Sequence, residues 1–350
     1  MILDRKYYSP VPIRQSNGCI PHPYHPSVVY VNGGFSGHRF WMAETPYPPF
    51  EIAPYIDRYE LPCIHYSDDG LHWESISENP IDNLSQHEIE KKEYYSDPHL
   101  ILKEAHLELY YRYTVLNGGS LIGNKTILYR RISEDGHVWS ERVCVADLRN
   151  NVDVQIWGEQ IISPAIIWTG KEYLCWYVDA SHYVENRGVR LTKSIDGIHW
   201  SKYLQCELRG DYLLKPWHID VQQYGDAYWM MMFDVDENLL SCYQSVSGIV
   251  WDKVTDVLRP SGKRHDFYGE SLYRACSVKV EERIWIYFSA QNELKSSIGL
   301  LQTSDWKSFK HISPIIPVRY VFITKCQLLH KDAILFWKRS KKCIKRLLGL

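Results

Sequence analysis

Ser67-Asp68-Asp69-Gly70-Leu71-His72-Trp73 decides the fold, because it returns as Ser133-Glu134-Asp135-Gly136-His137-Val138-Trp139 and again as Ser194-Ile195-Asp196-Gly197-Ile198-His199-Trp200. All three obey S-x-D-G-x-x-W. A fourth copy, Ser245-Val246-Ser247-Gly248-Ile249-Val250-Trp251, has Ser in place of the Asp, and a fifth, Thr303-Ser304-Asp305-Trp306-Lys307-Ser308-Phe309, is degenerate. Asp-Gly supplies the positive φ of a tight hairpin turn, the Ser or Asp side chain can bond turn amides, and the Trp can pack across the hairpin. Taking Trp73, Trp139, Trp200, Trp251 and Trp306 as markers, the copies lie roughly 50 to 65 residues apart, the scale of a four-stranded propeller blade with loops.

The sequence around each copy supports that scale. An alternating strand precedes the turn, as in residues 127–132 and 188–193, the period expected of a sheet with two faces. Further upstream a polar or Pro-containing segment opens an apolar strand, turns, and continues as an aromatic-rich strand. The five cases are residues 25–30 with 40–43, 97–102 with 109–113, 163–168 with 173–177, 218–222 with 228–232, and 273–278 with 284–288. Two hairpins per period make four strands per blade. The expected fold is therefore all-β, a five-bladed β-propeller of four-stranded antiparallel blades in a single domain over 1–337. Its blades cover approximately 20–80, 95–145, 160–206, 215–256 and 270–312, with 315–337 closing the ring. Residues 338–350, rich in Lys and Arg with interspersed Ile and Leu, read as a basic amphipathic tail; a solvated terminus is the plain reading and peripheral membrane contact the alternative.

Composition narrows the functional classes. Among 350 residues, 26 Tyr and 13 Trp are a heavy aromatic load, which suits strands and also the walls of sugar-binding clefts. A formal net charge of -2 provides no basic face for phosphates and excludes nucleic acid as a partner. Nine Cys, odd in number and without a C-x-x-C pair, suggest neither a disulfide framework nor a zinc ribbon. Together with the absence of an apolar leader segment, they lead to an expectation of reduced thiols and a cytoplasmic, membrane-peripheral at most, location.

In a propeller the innermost strands converge on a central channel, so residues opening each first strand meet on one rim. That rim would gather His25, Asp97, Ser163, His218 with Asp220, and Tyr273 with Arg274; loop residues Glu44, Glu60, Trp157, Glu159, Trp217 and Glu270 lie near enough in sequence to reach it. No set of His and carboxylates has metal-ligand spacing along the chain, so neither a metal nor a cofactor is assigned, although residues clustered at the rim could still host an ion.

The Asp97-Pro98 segment opening the second blade resembles the five-bladed propeller glycosidases, the clan of glycoside hydrolase families 43 and 32, with the related family 130 phosphorylases. Those blades open with D-P or E-x-P segments carrying three acidic residues, one from each of the first three blades. This chain departs from the pattern in two of them: the first blade has His25-Pro26, and the third has Ile162-Ser163-Pro164, with Glu159 three residues before Ile162. The resemblance implies a glycoside hydrolase-like enzyme acting on an oligo- or polysaccharide at the central pocket by carboxylate general acid/base chemistry. Such chemistry needs a protonated carboxyl for the leaving oxygen and a second group as nucleophile or base. Glu159 and Glu270 are the candidate acids, and Asp97 and Asp220 the candidate bases. His25 and His218 could share proton transfer or hold substrate; Arg274 would grip carboxylate, phosphate or hydroxyls, Tyr273 would line the rim, and Trp157 or Trp217 would stack on a sugar. Two alternatives stand beside this reading: a glycosyl-transferring or phosphorolytic enzyme of cell-surface polysaccharide metabolism, and a non-catalytic glycan-binding propeller.

Overall fold

The computed structural model describes residues 8–15, 22–47, 60–117, 120–180, 188–210, 215–264, 266–293 and 295–314. The expected closing segment 315–337 and the tail 338–350 lie outside these. Contacts separate Met1–Ser313 from Pro314–Leu350, and the sheets belong to the first unit.

Five sheets form a five-bladed β-propeller. A short β1 (Ile13–Arg14) precedes blade 1, which is β2 (Ser27–Phe35), β3 (His38–Glu44), β4 (Cys63–Ser67) and β5 (Trp73–Ser75). Helix α1 (Gln86–Glu90) leads to blade 2: β6 (Tyr94–Lys103), β7 (His106–Asn117), β8 (Ser120–Ser133) and β9 (Val143–Asp147). Helix α2 (Asn151–Trp157) leads to blade 3: β10 (Ile162–Trp168), β11 (Tyr173–Asp179), β12 (Gly188–Ser194) and β13 (Leu204–Gln205). After β14 (Glu207–Arg209), blade 4 is β15 (Pro216–Tyr224), β16 (Ala227–Asp234), β17 (Leu239–Ser245) and β18 (Val250–Leu258). Blade 5 is β19 (Ser271–Val280), β20 (Arg283–Asn292), β21 (Lys295–Thr303) and β22 (Lys310–Ile312). Within each blade neighbours are antiparallel; β1 and β14 add short parallel fifth strands to blades 1 and 4. Among the described residues no helix is long and apolar enough to cross a membrane, and the six described cysteines are free thiols, all buried but Cys144.

Apolar residues of consecutive blades fill the space between them, as where Trp176 and Val189 of blade 3 share a core with Ile219, Met230 and Trp251 of blade 4. Burial alone does not fix the angle between neighbouring blades. At each junction near the axis, one side chain accepts a hydrogen bond from a backbone N–H of the next blade. Leu100 N–H donates to Ser27 Oγ at 2.9 Å, Ile166 N–H to His99 Nε2 at 2.9 Å, and Ile219 N–H to Ser163 Oγ at 3.0 Å. Ser277 N–H donates to Asp220 Oδ2 at 3.0 Å, and His25 N–H closes the ring on Ser289 Oγ at 2.9 Å. All five acceptors are buried, where an amide without a partner costs about 1–3 kcal/mol.

The repeated turn makes a second contact at every junction. In the first copy Asp69 Oδ1 accepts from the N–H groups of Leu71 and His72, Ser67 Oγ accepts from Gly70 N–H, and Trp73 Nε1 donates to Gly70 O. The glycine face of the turn then rests on the preceding blade. Tyr287 Oη of blade 5 donates to Gly70 O at 2.8 Å, Trp41 of blade 1 packs under Gly136, Arg130 Nη1 of blade 2 donates to Asp196 O at 2.8 Å beside Gly197, and Trp176 Nε1 of blade 3 donates to Gly248 O at 2.7 Å. The turn is thus an interblade clip as well as the local hairpin expected from its residues.

The degenerate fifth copy keeps the geometry with altered chemistry. Asp305 Oδ1 still accepts from Lys307 and Ser308 N–H, but Trp306 occupies the glycine position at φ +57° and stacks on Trp229 of blade 4 with ring centroids 4.4 Å apart. Trp306 is therefore not the fifth copy of the repeat's Trp, as its use as a spacing marker assumed; Phe309 stands there.

Among the described residues, the junction of blades 5 and 1 is also bridged from the N-terminal side. Val11 N–H donates to Ile298 O of blade 5 at 2.9 Å, and Pro12 O accepts from Trp73 N–H of blade 1 at 3.1 Å.

Two glycines separate the clip from ordinary backbone strain. Gly136 (φ +79°) has no room for a Cβ, which would overlap the Trp41 ring, whereas Gly225 (φ +64°) has nothing within 4 Å. Gly136→Ala is expected to lose about 2–4 kcal/mol from left-handed strain plus overpacking, and Gly225→Ala only the strain portion. Equal thermal midpoints for the two variants would show that the clip contributes nothing.

Candidate functional site

Four inner strands open on an irregularity. Register shifts between Ser96 and His99 in β6, Ile162 and Ala165 in β10, Pro216 and His218 in β15, and Leu272 and Ala275 in β19. A bulge re-aims the side chains it contains, so they need not follow the alternation of the strand. In blades 1 to 3 the residue before the Pro has positive φ: His25 at +51°, Asp97 at +50° and Ser163 at +51°. A non-glycine residue before Pro is disfavoured there. Its recurrence in three blades marks a conformation held by its surroundings.

The bulges of blades 2 and 4 and the positive-φ residue that precedes β2 bring Asp97, His218 and His25 together. All three are buried, and one nitrogen or oxygen from each lies within 4.8 Å of the others. Outer partners fix two of them. Asp97 Oδ2 accepts from Arg112 Nη1 at 2.5 Å and from Ser163 N–H at 3.0 Å, leaving Oδ1 without a hydrogen bond and 3.4 Å from His218 Nδ1. His25 Nδ1 lies 2.7 Å from Thr45 Oγ1, and its Nε2 has no partner. Neither ring nitrogen of His218 has one. Buried polar atoms are rarely left this way, and several together point to a ligand.

The charge states follow from burial and neighbours. Burial alone would raise the Asp97 pKa, but His218, Arg112, His25 and Arg274 outweigh it and hold the carboxyl below the usual range. Burial pushes His25 down to about 3, with Arg274 and Arg112 acting in the same direction against Asp97. His218 is likewise held well below its ordinary value, first by burial. At neutral pH the cluster is one carboxylate and two uncharged imidazoles. That donor set suits zinc or another first-row divalent ion, and the outer hydrogen bonds on His25 and Asp97 are of the kind that orient metal ligands.

Two further features flank the cluster. Glu60 is buried with Oε1 3.7 Å from His25 Nδ1, and burial followed by Asp97 raises its carboxyl well above the ordinary value. Tyr273 places its ring 4.2 Å from His218 and 5.3 Å from His25, centroid to centroid, and its Oη accepts from Trp217 Nε1–H at 2.8 Å.

Of the other residues singled out from the sequence, Glu159, Glu270 and Trp157 lie away from the cluster, whereas Arg274 acts electrostatically on all three of its members. Glu159 is exposed and paired with Lys125 at 3.2 Å. Glu270 is exposed, and its Oε2 accepts from Glu293 N–H at 2.7 Å. Trp157 is core, packed on Tyr177 and Trp200. Asp220 is the acceptor that ties blade 5 to blade 4, with its carboxyl raised to about 6, chiefly by burial. Arg274 is wholly buried, its charge facing Asp97 and Asp220. Two partners of the cluster, Arg112 and Thr45, escaped the sequence reading. Arg112 had a visible signal, as the one charge inside the aromatic run Leu109-Tyr110-Tyr111-Arg112-Tyr113, since a buried Arg requires an anion. Thr45 had none.

No family model matches the chain. The "A type blood N-acetyl-alpha-D-galactosamine deacetylase" of Flavonifractor plautii is 25% identical over 298 residues, covering 71% of this chain and 37% of that protein. The chain therefore spans little more than a third of its curated relative. The crystal structure of an N-acetylgalactosamine deacetylase from F. plautii in complex with blood group B trisaccharide superposes with a TM-score of 0.66 at 20% identity, over 85% of this chain and 94% of that one. The GH43_1 enzyme from Xanthomonas citri complexed with xylotriose gives 0.58 at 10% identity, over 88% and 94%. The fold is that of the five-bladed propeller glycosidase clan.

Asp220 has a pH signature that distinguishes an interblade acceptor from a catalytic base. Its carboxyl is raised in the folded state, so it binds its proton more tightly there than in the unfolded chain. The stability it contributes is present below about 4, the unfolded value, and is lost as pH rises through about 6. Asp220→Asn keeps an acceptor for Ser277 N–H but cannot titrate. The thermal midpoint of the parent relative to Asp220→Asn is therefore expected to fall between pH 4 and 7, with turnover retained in the variant; a flat difference with abolished turnover would return Asp220 to the catalytic set.

Proposed function

We propose that this chain is a carbohydrate deacylase: a metal-dependent hydrolase that removes an acyl substituent from a sugar, with His25, Asp97 and His218 holding the ion. The observation that carries this reading is the convergence of two uncharged imidazoles and one carboxylate, each with an unpaired atom, from three blades. The sequence similarity to a deacetylase supports it. A mechanism based on a pair of carboxylates is less well served. Glycoside hydrolysis requires two carboxyls facing one bond, yet Glu159 and Glu270 are exposed, and the free oxygen of Asp220 lies by His99, 3.9 Å from its Nδ1, rather than in the group that Asp97 forms with His25 and His218.

A divalent ion at this centre would supply Lewis acidity to an acyl carbonyl and acidify water. The chain's own groups do the rest. Arg112 and Ser163 N–H keep Asp97 ionised and aimed. Thr45 sets the His25 ring so that Nε2 faces inward. Glu60, whose carboxyl burial raises well above its ordinary value, would hand a proton to the departing nitrogen or oxygen as the carbonyl carbon gains a bond to water oxygen and loses its bond to the leaving group, and the proton released from water would restore it.

The test is a metal titration coupled to product analysis. Protein stripped by a chelator should bind one equivalent of Zn2+ per chain by calorimetry, and His25→Ala and His218→Ala should lose that binding. Zinc-loaded protein should release acetate from N-acetylgalactosamine glycosides, and the stripped protein should not. Metal-independent release of reducing sugar without acetate would overturn the proposal in favour of glycoside hydrolysis, the reading that the fold resemblance supports.

A further inference from the structure

We infer that Tyr273 donates a hydrogen bond to the acyl oxygen of the substrate, and that Trp217 is the residue that positions it. The inference rests on the deacylase reading and assigns Tyr273 a narrower role than lining the rim.

Tyr24 stacks on Tyr273 with centroids 5.3 Å apart and planes 22° apart, while His218 at 4.2 Å and Phe233 at 5.5 Å also crowd the ring. With a ring stacked on one side and two more packed against it, Tyr273 makes a poor stacking platform for a sugar. Its polar end is what it has to offer. Trp217 and Tyr273 are both only partly buried, whereas Tyr24 and the three cluster residues are buried, so the Trp217–Tyr273 pair stands where the site meets solvent.

The hydrogen bond between them has a direction that chemistry dictates. An indole nitrogen can only donate, so Tyr273 Oη accepts from Trp217 Nε1–H at 2.8 Å. The phenolic proton must therefore point elsewhere, and among the described residues it meets no acceptor. The result is an O–H group, oriented by one neighbour and unspent, on a ring in contact with His218 and His25. A carbonyl brought to the cluster gains negative charge on oxygen as water adds, and a donor held beside the cluster by its neighbours needs little reorganisation to meet that charge.

Three proteins test this: Tyr273→Phe, Trp217→Phe and the double variant, each zinc-loaded and assayed for acetate release, with acetate binding measured by calorimetry as a second readout. Tyr273→Phe should lower kcat about 100-fold, the loss typical of one oxyanion donor, with KM and zinc stoichiometry unchanged and acetate bound about tenfold more weakly. Trp217→Phe retains the packing and the phenol but frees its orientation, so kcat should fall by a smaller factor, about tenfold, and the double variant should match Tyr273→Phe, as expected when one residue acts only through another. Tyr273→Phe with kcat within threefold of the parent, a change confined to KM, or additive losses in the double variant would each overturn the assignment. A parent that binds zinc but releases no acetate would remove the deacylase reading itself, and with it this role for Tyr273, before any variant is compared.

Discussion

A propeller has no continuous sheet around its ring, so the molecule depends on what joins one blade to the next. Here the join near the axis is the same kind of bond five times over: a buried side-chain acceptor on one blade receiving a backbone N–H from its neighbour. The acceptors are of three chemical kinds: the hydroxyls of Ser27, Ser163 and Ser289, the imidazole of His99 and the carboxylate of Asp220. What they share is a requirement imposed by packing, since inner-strand amides facing the adjacent blade cannot reach water and must be satisfied by protein. The repeated turns add an outer tie at each junction. Together the two rings hold the blades at an angle that apolar burial, being non-directional, would leave free.

The same constraint builds the site. Asp97 Oδ2 accepts from Ser163 N–H of the next blade while Oδ1 faces His218, so one carboxylate both joins blades 2 and 3 and supplies the anion at the centre. His25 is similar, its backbone closing the ring on Ser289 and its imidazole entering the cluster. Structural and chemical demands on these residues are therefore inseparable. The left-handed backbone at His25, Asp97 and Ser163 is the visible cost of meeting both.

Electrostatics then sorts the acids. Asp97, with Arg112 and Arg274 near it, is held below the usual carboxylate range; Glu60, poorer in cationic neighbours, is raised well above it by burial; and Asp220 is raised to about 6.

The five blades were legible in the chain because the turn that marks them is local. Seven consecutive residues contain the Asp that binds the turn amides, the Gly that takes positive φ and the Trp that covers both, and no distant contact is needed to recognise the pattern. The inner-strand openings were legible for the same reason, which is why His25, Asp97, His218 and Tyr273 could be singled out from sequence. Which of those openings form a site was not. Asp97 and Asp220 look equivalent as strand-opening carboxylates, and each does accept a backbone N–H from the next blade while its other oxygen has no hydrogen bond; only the closed ring reveals that the second oxygen of Asp97 faces His218 whereas that of Asp220 lies 3.9 Å from His99 Nδ1. Glu159 and Glu270 look like rim acids, and only their exposure removes them. Thr45 is an ordinary residue until the ring places its hydroxyl on His25. Local turn chemistry is set by residues in succession, whereas the charge and company of a buried group are set by residues from other blades, and those meet only when the ring has closed.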